Sequence, residues 1–252
     1  MRQARVAAVL AVLALGATAA TSVPVQAPAQ APAPPAPRIE RLGESVKGRP
    51  INVVRVGDPA ARRKVLVVGC IHGDEFAGRA IVDLLRAGAV APPGAELLLV
   101  RNLNPDGFQR GTRGNANRVD LNRNSSQGRR YLGPPGSPLY AGPRAFSEPE
   151  SRAIRALIVR DRPAVTIWYH QPLALVDRPE AGGDALTRAY AALTGLPERP
   201  LAARPGSLSR WQNARVRAGS SIVVELPAGP LAPADARRHA DAVLALAAGT
   251  GQ

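Results

Sequence analysis

His72, Glu75, His170 and Glu225 are the side chains of this sequence best placed to do chemistry. His72 and Glu75 stand three residues apart, just after an apolar run that ends at Cys70, where a loop is expected to enter a helix. That spacing puts an imidazole and a carboxylate on one side of a first helical turn. His170 closes a second apolar run, Ala164 to Tyr169. Zinc accepts nitrogen and carboxylate ligands, and catalytic zinc sites use three protein ligands plus water. A His-x-x-Glu pair also arises by chance, as a capped helix start with an exposed imidazole. A second His at the end of another apolar strand is what adds weight to it. The third His, His239, lies beside Arg237 and Arg238 in the last predicted helix and reads as a surface residue. Glu225 is flanked by Val223, Val224 and Leu226. A carboxylate in so apolar a strand is costly to bury unless it is paired or serves a site. It is either a partner for one of the many Arg or a general base with a raised pKa beside a metal-activated water.

These residues need elements to position them. Pro50 to Val56 alternates like a strand, and Val65 to Val68, Leu97 to Val100, Ala164 to Tyr169 and Ile222 to Leu226 are continuous apolar strands. Helical spacing covers Glu75 to Leu85, Asp184 to Leu193 and Ala234 to Ala248, the last closed by Gly249. Another helix is expected from Ser147 to Val159, with Ser147 capping, Pro149 in the first turn and Glu150 completing a capping box. Asn102 to Tyr140, rich in Gly, Pro, Asn and Arg, reads as long loops. Apolar strands alternating with helices predict an α/β fold: a mixed, largely parallel central sheet with helices on both faces. Such sheets bind ligands beyond the carboxyl ends of their strands, where His72, His170 and Glu225 fall.

The bulk properties narrow the function. A length of 252 residues suits one α/β domain or two small ones. Aromatic residues are only 4%, so the core must rest on Val, Leu, Ile and Ala. The formal charge is +14, almost all of it Arg, with Lys only at positions 47 and 64. Such a surface suits nucleic acid, an anionic membrane or an acidic polymer such as peptidoglycan. The basic residues are spread along the chain without interleaved aromatics, which argues against a nucleic-acid partner. Cys70 is the one cysteine, so there is no disulfide framework, and a buried, inert thiol is expected. Arg2 and Arg5 followed by the apolar stretch Val6 to Gly16 form an export signal, with cleavage candidates at Ala17-Thr18-Ala19 and Val25-Gln26-Ala27. An uncleaved anchor is the rival reading, although the stretch is short of the ~20 residues of a span. Residues 24–37 form a Pro- and Ala-rich linker. The expected organisation is thus signal and linker over 1–37 and one catalytic domain over 38–252, exported, with no stable membrane partner.

Seven short motifs follow one another along the chain. They are His72-Gly73-Asp74-Glu75, Asn104-Pro105-Asp106-Gly107, Gly111-Thr112-Arg113, Val119-Asp120-Leu121-Asn122-Arg123-Asn124, Ser147-Glu148-Pro149-Glu150, His170-Gln171-Pro172 and Glu225-Leu226-Pro227. In this order they resemble the zinc carboxypeptidase family, and within it the bacterial murein peptide amidase A branch. The resemblance spans roughly residues 39–252. It implies that His72, Glu75 and His170 are ligands of one Zn2+, that Glu225 activates the water, and that Asp120 orients a ligand His. It further implies that Asn122 and Arg123 grip a substrate carboxylate and that Arg113, with Arg110 as competitor, polarises the scissile carbonyl. No Tyr stands between Ala191 and Glu225, where digestive members of the family carry a mobile one. That departure favours the murein amidase branch. The implied substrate is a murein-derived peptide, cut between γ-D-glutamate and meso-diaminopimelate. The alternatives are ordinary C-terminal peptides, N-acyl amino acids, or a non-catalytic wall-binding module. Ser125 to Ala145 and Leu201 to Gly219 are expected to shape the substrate pocket.

Overall fold

The computed structural model describes residues 36–88, 90–178, 185–216 and 219–250. The expected export segment, its cleavage candidates and the linker as far as Pro35 lie outside the described residues. The fold below is that of the unit Pro34–Gln252.

Among the described residues the strands are β1 (Arg38–Glu44), β2 (Pro50–Gly57), β3 (Arg63–Val68), β4 (Ala95–Val100), β5 (Val165–His170), β6 (Leu173–Asp177), β7 (Glu198–Arg199) and β8 (Ser220–Pro227). The helices are α1 (Gly78–Gly88), α2 (Pro105–Arg110), α3 (Pro149–Asp161), α4 (Ala185–Thr194), α5 (Leu208–Arg215) and α6 (Pro233–Ala247). The strands form one sheet in the order β1-β2-β4-β3-β5-β8-β6-β7. The middle four, β4-β3-β5-β8, run parallel, while β2 and β6 join them antiparallel on either side. This is the mixed, largely parallel sheet that the apolar strands predict.

Every residue of β4 and β5 is buried, because both faces of the sheet are covered. Val65, Val67, Leu97, Leu99 and Ile167 pack with Ile81, Leu85, Tyr190, Val243 and Leu246 of α1, α4 and α6. The alternate residues Leu66, Val68, Leu98, Val100 and Trp168 pack with Ile154, Leu157, Leu208 and Trp211 of α3 and α5. Fully burying one such side chain contributes roughly 1.5–3 kcal/mol, so these two layers hold the strand ends in fixed register. The chain leaves β3 for β4 on one side, whereas β5 lies on the other. A crevice opens at such a switch point, beyond the carboxyl ends of the strands.

The structure departs from the sequence-based expectation in five places. Helix α1 begins at Gly78, not Glu75, because the three preceding residues stay in the turn that carries Glu75. The expected capping box is absent. Glu148 is the N-cap without a side-chain cap bond, Ser147 Oγ donates to Glu148 instead, and Glu150 accepts from Asn115 and from the Val46 amide. The region 102–140 holds the short helix α2, capped by Asn104 and ended by Gly111 in a left-handed conformation. The sequence-based reading does not include the edge strands β1 and β7 or helix α5, which lack apolar runs, nor β6, whose apolar run Leu173–Val176 is only four residues long and directly follows β5. His239 is buried rather than exposed: its Nδ1 lies 2.8 Å from the Tyr190 hydroxyl, which lies 2.7 Å from that of Tyr169. Three packed helical and strand faces converge there, which a local Arg-rich sequence does not reveal.

Candidate metal centre and substrate cleft

The turn after β3 carries His72 and Glu75. It is pinned where Gly73 meets α2: a Cβ at Gly73 would fall 2.0 Å from the carbonyl carbon of Gly107, so only glycine allows this approach. His170 is the last residue of β5 and pairs in register with Glu225 of β8. These positions bring three donor atoms together. His72 Nδ1 lies 2.9 Å and His170 Nδ1 2.8 Å from Glu75 Oε2, and the two imidazole nitrogens are 3.2 Å apart.

Those contacts fit a tetrahedral divalent ion. Bonds of ~2.0–2.2 Å would place such ligand atoms ~3.4 Å apart, close to the spacing seen. The donor set of two imidazoles and one carboxylate suits zinc. The far nitrogen of His72, Nε2, is 3.0 Å from Asp120 Oδ1, which directs Nδ1 inward. Burial pushes the Glu75 carboxyl up, but the His72 and His170 imidazoles outweigh it and hold it well below the usual range. Burial also raises Asp120, yet His72, Arg113 and Arg123 together hold it low. Both carboxylates are therefore ionised when the imidazoles need them.

Asp120 organises more than His72. Its Oδ1 accepts from the Asn122 amide at 2.9 Å, and its Oδ2 accepts from Arg113 Nε at 3.0 Å. Arg113 also donates through Nη1 to Glu75 Oε1 at 2.7 Å. Arg110 instead bonds the Asn115 carbonyl, so of the two competing arginines Arg113 is the one in the cleft. Asn122 is held by the Leu208 amide through Oδ1 at 3.0 Å, which turns its Nδ2 toward His170 Nε2 at 3.3 Å. Arg123 is buried, its Nη1 bonded to the Asn122 carbonyl and its Nε without a hydrogen-bond partner. Burial, reinforced by neighbouring Arg113 and Arg204, pushes its pKa down against the pull of Asp120, whose Oδ2 lies 3.9 Å from Nε and is shared with Arg113. Glu225 carries a similar asymmetry: Oε2 is buried and unpaired, and burial together with Glu75 pushes its pKa up. A carboxyl in that state can take and return a proton.

His72, Glu75, Arg113, Asn122, Arg123, His170 and Glu225 line one cavity of about 240 Å³. Asp120 lies behind it, buried against His72. Residues 201–210 form part of the wall through Leu201, Arg204, Ser207 and Arg210, as expected of that stretch, whereas no residue of 125–145 lines it. The latter loop instead props the wall: the Ser125 amide donates to the Gly206 carbonyl at 3.0 Å and Gly206 donates to that of Gln127 at 2.7 Å. Three further lining residues carry no role in the motif reading, and two of them, Asp177 and Arg204, lie outside the motifs altogether. Gln171 ties the site to β8 by donating to the Pro227 and Gly229 carbonyls, while Asp177 and Arg204 come from the end of β6 and a loop. Cys70 is buried, and burial pushes its thiol up to about 12, in keeping with an inert role.

Comparison with known proteins places this geometry. Residues 36–178 match a family model described as a protein of unknown function, DUF2817. A murein peptide amidase A from Vibrio campbellii is 34% identical over 221 residues, covering 81% of this chain and 85% of that protein. The crystal structure of the murein-tripeptide amidase from Escherichia coli O157 superposes with a TM-score of 0.65 at 27% identity, over 86% of this chain and 94% of that one. Carboxypeptidase A from Helicoverpa armigera shares the fold, with a TM-score of 0.69 at 20% identity over 84% of this chain and 68% of that one. The chain therefore belongs to the zinc-carboxypeptidase-like family, beside its murein peptide amidase A branch, and is a hydrolase of the metallopeptidase type.

Proposed function

We propose that this protein is an exported zinc peptidase that hydrolyses the amide bond between γ-D-glutamate and meso-diaminopimelate in murein peptides. The observation that carries the reading is the convergence of His72 Nδ1, Glu75 Oε2 and His170 Nδ1 in a cleft that also holds a buried, partly unpaired Arg123 and an unpaired Glu225 oxygen. Zinc held by the three donors supplies Lewis-acid polarisation and lowers the pKa of water toward ~7. The chain's own residues do the rest. Arg123, with Asn122, binds the carboxylate of the residue to be released, and a guanidinium suits that planar group because it bonds it bidentately. Arg113 leans toward the scissile carbonyl and donates to its oxygen as negative charge develops. Glu225 Oε2 accepts a proton from the attacking water and delivers it to the departing amine nitrogen. Asp120 holds His72 in the ligating tautomer throughout.

Murein is supported by the two amidase relatives and by the arginine-rich cleft, and export by the signal-like N-terminus. The test is to incubate the purified, zinc-loaded protein with L-Ala-γ-D-Glu-meso-diaminopimelate, with and without a chelator, and to follow free diaminopimelate by mass spectrometry. Chelator-sensitive release is expected. An intact, zinc-bearing protein that releases none would exclude the murein-tripeptide reading and leave ordinary C-terminal peptides to be tried.

A further inference from the structure

Arg123 accounts for one anion in the cleft, yet the cleft contains more cationic groups than that one carboxylate needs. Arg113 is occupied by Glu75 and Asp120. Arg204 differs from it: the side chain lines the same cavity but makes no hydrogen bond or ion pair among the described residues. It is close enough to Arg123 for the two positive charges to act on each other. Arg123 is buried and Arg204 is exposed at the rim, so an anion entering between them meets two positive charges and relieves their repulsion.

The backbone brings the turn that carries Arg204 onto Arg123. Gly206 has a positive φ of 74°, and a Cβ there would fall 1.9 Å from the Arg123 carbonyl oxygen, so the 204–208 turn lies directly on the Arg123 backbone. The turn is fastened by Ser125 and Gln127 to Gly206, by Ser125 Oγ to the Ser207 carbonyl at 3.0 Å, and by the Leu208 amide to Asn122 at 3.0 Å. At its start, Asp177 Oδ1 accepts from the Leu201 amide at 2.8 Å. A turn fixed this firmly sets the backbone of Arg204 at the rim of the cleft, where its exposed side chain lines the cavity.

We infer that Arg204 is a specificity-determining residue, receiving a second carboxylate carried on the side chain of the residue whose main-chain carboxylate Arg123 holds. The ligand class is a C-terminal amino acid with two acid groups. This rests on the proposed peptidase reading for the roles of Arg123 and the cleft, but the identity of the second acid group is decided by Arg204.

The experiment compares full-length wild type, Arg204→Gln and Arg204→Lys, all zinc-loaded, on two peptides. One ends in meso-diaminopimelate and the other in L-lysine, which keeps a side-chain ammonium but lacks the second carboxylate. Loss of one charge-assisted contact predicts a roughly 10–100-fold fall in kcat/KM for R204Q on the diaminopimelate peptide, mainly through KM, with less than about a threefold change on the lysine peptide. R204K should recover part of the loss. An equal loss on both peptides, or no loss on either, overturns the inference. Calorimetry with free meso-diaminopimelate and free lysine separates it from the peptidase reading. If wild type cleaves nothing, that reading falls. The inference then stands if R204Q weakens diaminopimelate binding at least tenfold while leaving lysine unchanged, and falls if both ligands bind the two proteins alike.

Discussion

At the scale of single residues, the cleft is defined by groups whose ordinary pairing is incomplete. Glu225 Oε2 and Arg123 Nε are both buried without hydrogen-bond partners, a costly condition that a substrate and its reacting water would relieve. The rise in the pKa of Glu225 comes first from burial and second from Glu75. Removing its basicity while keeping its shape tests the role assigned to it. Glu225→Gln should lower kcat roughly 10²–10⁴-fold, while zinc content measured by elemental mass spectrometry stays at the wild-type level. Full activity in that variant would remove Glu225 from the chemistry. The residue types and spacing already marked His72, Glu75, His170 and Glu225 as candidates. What they did not mark was Arg204 or Asp177, because an Arg or Asp in a loop of an Arg-rich chain carries no local pattern.

At the scale of elements, the α1, α4 and α6 layer contains a polar thread that periodicity could not announce. His239 of α6 bonds Tyr190 of α4, which bonds Tyr169 of β5, the residue next to His170. Burial pushes the His239 pKa down to about 4, against ~6.5 for an unfolded imidazole. The unfolded state therefore binds a proton that the folded state refuses. This contribution to stability is complete above pH ~6.5 and is lost as pH falls toward 4, by an amount on the order of 3 kcal/mol. Thermal melts of wild type should show a fall in Tm across that window that is visibly smaller in His239→Gln. Parallel pH profiles for the two proteins would contradict the assignment. The central strands and α1, α3, α4 and α6 were legible because long apolar runs and helical spacing are local signals. Strands β1, β6 and β7 and helix α5 were not, because edge and short elements owe their conformation to neighbours rather than to their own sequence.

At the scale of the whole molecule, the metal donors come from two strand ends that are 98 positions apart in the chain, His72 and His170. Binding an ion there links β3 to β5, so the ligand stabilises only the folded state. Zinc at ~100 times its Kd should add about 2.7 kcal/mol, and for a chain of this size that corresponds to a rise in Tm of roughly 5–10 °C. Differential scanning fluorimetry with zinc and with chelator measures it, and identical melting curves would mean that the three donors do not bind the ion. The sequence by itself determined the alternation of apolar strands and helices, and hence the class of sheet, since burial on both faces demands continuous apolar runs. It also determined which residue types could serve a metal and a base, and the order of motifs that marks the family. Only the tertiary structure decided that Arg113 rather than Arg110 enters the cleft, that Glu75 lies in a turn ahead of α1, that His239 is buried, and that the turn carrying Arg204 packs on the Arg123 backbone. Each of those depends on contacts between segments far apart in the chain, and such contacts leave no trace in local spacing.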